Sequence, residues 1–123
     1  MKLRIRGNSI RLRLKRGEVD RLAAGNTLVE ETKFPGSKLS FSLGLSDADD
    51  MLTSFDDGSI AIRMPREIIP EWADTDLVSL YSELVLPDDG ILAVLVEKDF
   101  SCLEPGHHRD CEDDADTYPH PSA

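Results

Sequence analysis

Apolar and polar residues alternate from the start of the chain. Leu3 and Ile5 alternate with Lys2, Arg4 and Arg6, and Ile10, Leu12 and Leu14 alternate with Ser9, Arg11 and Arg13. A period of two predicts β-strands, and Gly7-Asn8 between the runs predicts a tight hairpin turn. Residues 15–24 then place Val19, Leu22 and Ala23 on one helical face. Gly25-Asn26 is a helix stop, because Gly takes the left-handed conformation at low cost. Runs 27–34 and 38–45 predict two more strands joined at Pro35-Gly36, with Leu39, Phe41, Leu43 and Leu45 on one face.

The same order recurs. Shifted by 50, "SIRLRLKRGEVDRLA" (9–23) lies over "SIAIRMPREIIPEWA" (59–73), with five of fifteen positions identical. These are Ser9/Ser59, Ile10/Ile60, Arg13/Arg63, Arg16/Arg66 and Ala23/Ala73. A strand over 50–55, a turn at Asp56-Asp57-Gly58 and a strand over 59–64 open the second copy. Pro65 suits the first turn of a helix, whose buried stripe is Ile68, Ile69 and Trp72. Strands 77–85 and 90–98 close it. The last is apolar on both faces, which predicts a central strand. Each half is thus ββαββ. The fold class expected is α+β, mostly antiparallel, with two repeats (about 1–46 and 49–99) forming a pseudo-twofold barrel with two short helices. Closure would remove exposed strand edges.

Length and composition add bounds. The chain has 123 residues, 40% apolar but only 6% aromatic. One domain with a Leu/Ile/Val core fits, over residues 1–99. The longest apolar run, "GILAVLV", is far shorter than a membrane span, so no membrane contact is expected. The charged start lacks the apolar stretch of a secretory signal, and two cysteines make no disulfide scaffold. The expected setting is cytoplasmic, as a monomer or weak dimer.

Net charge is −10, yet residues 1–40 carry ten Lys/Arg against four acids, and residues 41–123 carry four against twenty. Seven of the first sixteen residues are basic: Lys2, Arg4, Arg6, Arg11, Arg13, Lys15 and Arg16. Like charges on paired strands repel, so this comb needs counter-charge from Glu30, Glu31, the C-terminal tail or a bound anion. It is the candidate site for an acidic protein or polyanion, nucleic acid included. The plainer alternative is a hairpin that only faces water, neutralised within the molecule.

The tail, residues 100–123, is acidic and holds every histidine and both cysteines. Cys102, His107, His108 and Cys111 are candidate zinc ligands: Cys102, one of the two histidines and Cys111, with His120 or an Asp, would make a set of four. A Cys102–Cys111 redox pair and an unliganded tail are the alternatives. The tail's charge also suits it to fold back over the comb. Tyr118, within Tyr-Pro-His-Pro, suits an extended docked peptide.

Two resemblances bear on function. "KLRIRGNSIRLRL" resembles a family of short bacterial proteins of unknown function that share this start and an acidic tail. "RGNSIRLRLKRGEV" and "DGSIAIRMPREII" each resemble the swapped-hairpin DNA-binding unit of the AbrB/MazE type. That likeness implies two interlocked units, here in one chain, with DNA contacts from the basic first hairpin of each. The first unit supplies those cations. The second offers Arg63 and Arg66, with Asp56, Asp57 and Ala61 at other positions. The likeness therefore also admits a degenerate interaction module that no longer binds DNA.

Catalytic signals are few. Residues 1–99 contain no histidine, which excludes a His-based triad there. Glu30-Glu31 and Asp56-Asp57 are not spaced as a carboxylate dyad. Cys102 with His107 or His108 is chemically a nucleophile and base. A barrel with inward charges resembles the tunnel of triphosphate-cleaving metalloenzymes, but Lys2-Leu3-Arg4-Ile5-Arg6 stands where that family has Glu-x-Glu-x-Lys. The expectation is a small non-enzymatic binding or regulatory protein without a cofactor, zinc in the tail apart. A phosphate-processing or anion-binding barrel enzyme is the alternative.

Overall fold

The computed structural model describes residues 1–75 and 78–99. Eight strands fall on the eight alternating runs: β1 (Lys2–Arg6), β2 (Ser9–Leu14), β3 (Leu28–Phe34), β4 (Ser37–Ser46), β5 (Leu52–Asp56), β6 (Ser59–Pro65), β7 (Ser79–Val85) and β8 (Ile91–Lys98). Helix α1 (Arg16–Ala23) follows β2, and α2 (Ile69–Asp74) follows β6 after a 3₁₀ turn, Arg66–Ile68. The fold class is α+β with two similar halves.

The halves interlock. One sheet has the order β1-β2-β8-β7 and the other β3-β4-β6-β5. Each sheet therefore joins the first hairpin of one repeat to the last hairpin of the other. The hairpins are antiparallel, but the seams between repeats, β2 with β8 and β4 with β6, are parallel. Closure of the barrel comes from two mixed sheets packed face to face, not from a ladder running round all eight strands. β8 is an interior strand, as its apolar composition predicts.

Period two explains the core. Leu12 and Leu14 of β2, Leu43 of β4, Ile60, Ile62 and Met64 of β6, and Val94 and Val96 of β8 point inward and are buried. Val19 and Leu22 of α1 join Ile69 and Trp72 of α2 in the same cluster. Trp72 is fully buried, and its indole N–H donates to the Val78 carbonyl at 3.3 Å. No polar or charged side chain is buried among the described residues. The space between the sheets is thus filled by apolar side chains, with no inward Arg, Lys and Glu of the kind a charged tunnel needs.

Two local expectations change. Pro65 does not enter a helix; it ends β6, paired with Ser46, and the proline in the first turn of α2 is Pro70. A missing N–H is tolerated at either place. The repeat also reaches further back than its identities suggest. Met51, buried before β5, stands fifty residues after Met1, which packs against the same core.

Each turn between first-hairpin strands docks on the other repeat. The Ala93 amide donates to the Asn8 carbonyl at 3.1 Å, and the Ser40 amide donates to the Gly58 carbonyl at 2.9 Å. Asn8 and Gly58 are repeat equivalents. Asn8 adds a side-chain bond, from Nδ2 to the Ile91 carbonyl at 2.6 Å.

Candidate functional site

The comb lies on the outer face of the β1-β2-β8-β7 sheet. The hairpin register pairs Lys2 with Arg13, Arg4 with Arg11 and Arg6 with Ser9. Residues directly opposite across an antiparallel pair share a face, so five cations stand together there. The two sides of the hairpin form one surface. The parallel seam extends each row onto β8: Arg13 meets Glu97, Arg11 meets Leu95, and Ser9 meets Ala93. β7 continues it, with Ser79 beside Glu97, Tyr81 beside Leu95 and Glu83 beside Ala93. The face is cationic over β1 and β2 and largely apolar over β8 and β7.

Two hollows indent this face. One, about 390 Å³, is walled by Arg4, Arg6 and Arg11 on one side and by Tyr81, Ala93 and Leu95 on the other. The second, about 260 Å³, lies among Lys2, Arg4, Arg11 and Arg13. Both are open to solvent. Tyr81 is 61% exposed, and its hydroxyl donates to Glu83 at 3.0 Å. That bond first, then partial desolvation and the carboxylate charge, raises the phenol's pKa.

Of the expected counter-charges, Glu30 and Glu31 are engaged elsewhere, and the tail lies outside the described residues. Glu30 pairs with the Met1 amine at 2.9 Å and Glu31 with Lys38 at 2.8 Å. Among the described residues Glu97 supplies a carboxylate inside the comb: its Oε1 accepts from Arg13 Nε at 2.7 Å and lies 3.4 Å from Arg11 Nε. Arg13 and Glu97 are nearly covered, at 10% and 14% side-chain exposure. Glu97 was missed because its partner row is formed by a pairing between distant parts of the chain. One signal was present: it is an acid that follows six apolar residues in one strand.

The remaining candidates divide. Lys15 is the residue before α1 and Arg16 its first residue; both are exposed and neither lines a hollow. Cys102, His107, His108 and Cys111 lie outside the described residues, as does the whole tail from 100 to 123. Among the described residues no three His, Cys, Asp or Glu side chains group as a metal site, and no helix is long and apolar enough to cross a membrane.

The equivalent face of the other sheet is chemically different. The shift of fifty puts Leu52 at the place of Lys2, Ser54 at Arg4, Asp56 at Arg6, Ala61 at Arg11, and Arg63 at Arg13. On the adjoining strand Gly44 takes the place of Glu97. Arg63 lies over Gly44, where an added Cβ would meet its side chain at 3.2 Å. Its guanidinium donates to Ser42 Oγ at 3.2 Å and to the Ile62 carbonyl at 2.8 Å. Arg66, outside this row, pairs with Asp47 at 3.1 Å.

Residues 1–122 match a protein-family model described as a Family of unknown function (DUF7009), nearly the whole chain. No curated protein and no solved structure matches.

Proposed function

We propose, for a chain that belongs to this family of unknown function, that the outer face of the β1-β2-β8-β7 sheet binds an acidic partner and catalyses no reaction. One observation carries this reading. Five cations are held in register on one face of a protein whose net charge is −10, with Glu97 set beside them among the described residues. Grouping them costs repulsion, and a binding role for that charge offsets the cost. The acidic remainder of the surface disfavours broad polyanion binding, so a partner engaging this one face fits best. A protein segment rich in Asp and Glu meets that description.

A symmetric grip on duplex DNA fits less well. The equivalent face keeps Arg63 but has Leu52, Ser54, Asp56 and Ala61 at the other four positions. Phosphate affinity grows with the number of cations presented together, and the β5-β6 hairpin presents one, with Lys33 and Lys38 set apart from it on β3 and β4.

Titration of the full chain with poly-glutamate tests the reading. Binding is expected at low salt and should fade as ions screen the face. Arg4→Ala with Arg6→Ala should weaken it about tenfold, as two surface contacts of this kind are lost. Arg63→Ala with Arg66→Ala should leave it unchanged. Equal loss in both double variants, or no binding at any salt, overturns the proposal. Tighter binding of a short DNA duplex than of poly-glutamate would reassign the partner.

A further inference from the structure

Strand β8 delivers the chain's C-terminal segment to the edge of this same face. Lys98 is paired with Leu14, and the Asp99 amide donates to the Leu14 carbonyl at 2.8 Å. Position 99 therefore lies just past the row that holds Lys2, Arg13 and Glu97. Residues 100–123 continue from there and contain six carboxylates (Glu104, Asp110, Glu112, Asp113, Asp114 and Asp116) against Arg109. Four of the six fall within residues 112–116, and Tyr118 follows.

We propose that this segment is the face's own ligand: Glu112–Asp116 docks on the β1–β2 cations and competes with an acidic partner from outside. The inference rests on the reading of the face given above and adds its regulation. Charge complementarity is the main argument. The cationic half of the face carries Lys2, Arg4, Arg6, Arg11 and Arg13, and the segment is the most acidic stretch of the chain. Chemistry beyond charge also matches. The apolar half offers Tyr81 paired with Leu95 and Val85 paired with Ile91, and Tyr118 is the aromatic residue next to the acids. Reach is ample. Four strands span about 15 Å, whereas twelve extended residues reach about 40 Å. A tether this short holds the acids at an effective concentration in the millimolar range, enough to compete with a free partner.

The test uses two full-length variants that lose the same charge. One is Glu112→Gln, Asp113→Asn, Asp114→Asn and Asp116→Asn together. The other is Asp49→Asn, Asp50→Asn, Asp57→Asn and Glu67→Gln, all outside the β1-β2-β8-β7 sheet. Poly-glutamate is the probe, at about 20 mM and about 300 mM salt, on either side of strong screening. At low salt the tail variant should bind about tenfold tighter than wild type. The control should gain much less, and the difference should shrink at high salt. Equal gains in the two variants overturn the proposal.

Backbone amide NMR of the unliganded proteins supplies an independent reading. The tail variant should shift the Arg4, Arg6 and Arg11 amides, and the control should not. Unmoved amides in the tail variant overturn the docking whatever the titration shows. Moved amides without poly-glutamate binding to any variant keep the docking and defeat the outside partner instead. Shifts that appear only as protein concentration rises would assign the contact to a second copy and overturn the intramolecular arrangement.

Discussion

Arg13 and Arg63 occupy equivalent positions and reach opposite solutions. Arg13 is nearly covered and held by Glu97; Arg63 lies over Gly44 and satisfies itself with a hydroxyl and a carbonyl. Removing one partner of a mostly buried ion pair takes that partner's compensation away from the other charge. Glu97→Ala should therefore destabilise the fold by about 2 kcal/mol. Arg63→Ala should cost less than about 1 kcal/mol, since no carboxylate is left behind. Urea denaturation of both variants checks the contrast, and equal losses would refute it. The two hairpin glycines, one position out of step between the repeats, make a second contrast. Gly7 and Gly58 both have positive φ, 54° and 74°. A Cβ at Gly7 meets nothing within 4 Å, but one at Gly58 would lie 2.9 Å from the Lys38 carbonyl oxygen. Gly7→Ala should cost about 1 kcal/mol, the left-handed penalty alone. Gly58→Ala should cost clearly more, because backbone must move, and thermal denaturation of the two resolves the difference.

At the scale of elements, the chain start ties three of them together. The Met1 amine, just before β1, bonds to Glu18 of α1 and lies 2.9 Å from Glu30 of β3. Glu18 also accepts the Lys15 amide at 2.9 Å, capping the first turn of α1. Burial on its own would lower the amine's pKa, but the bonds and charges of Glu18 and Glu30 outweigh it and raise the value above 8.0. Burial would likewise raise Glu18, but the amine and the Lys15 amide hold it below 4.5. A raised amine stabilises the fold fully below pH 8.0 and loses that contribution as pH climbs through its folded value. A lowered carboxyl contributes fully above pH 4.5 and loses it as pH falls through its folded value. This clasp should therefore be strongest between those limits, and Glu18→Gln should flatten both flanks of a melting-temperature profile against pH. An unchanged profile would remove the clasp from the stability balance.

Elements were also the level at which the sequence was most readable. Strand, turn and helix depend on neighbours within a few residues, so Leu39, Phe41, Leu43 and Leu45 declare a strand by themselves. The repeat was readable because Ile10/Ile60 and Leu12/Ile62 serve the same core. The seam partners were not readable, because nothing within β2 says that β8 will lie beside it. Glu97 was hidden by that same gap: its role exists only once the register places it against Arg13. The comb itself was legible as charge, but its meeting with Tyr81 and Leu95 belongs to the sheet and not to the hairpin.

For the whole molecule, the interlock makes the two repeats interdependent. Neither sheet can form from one repeat, since each needs a hairpin from both. Among the described residues, moreover, all the buried side chains belong to one cluster. Unfolding should accordingly be a single transition. Leu12→Ala in the first sheet and Ile62→Ala in the second each open a cavity, at about 3 kcal/mol. Circular dichroism reports both sheets, and the fluorescence of the buried Trp72 reports the helix layer. In each variant the two signals should shift together, whereas independent halves would show one sheet's loss without the other. The connection between β4 and β5 offers a sharper check, because it is the one place where the chain passes from one repeat to the next. A protease site placed at residues 47–50 and cut under native conditions should leave the halves bound as one particle. The parallel seams would hold them as subunits of a dimer are held. They should part only in denaturant and, once separated, should each lose cooperative structure. Halves that drift apart on dilution in native buffer, each still folded, would mean that the seams contribute little and that the repeats are the true folding units.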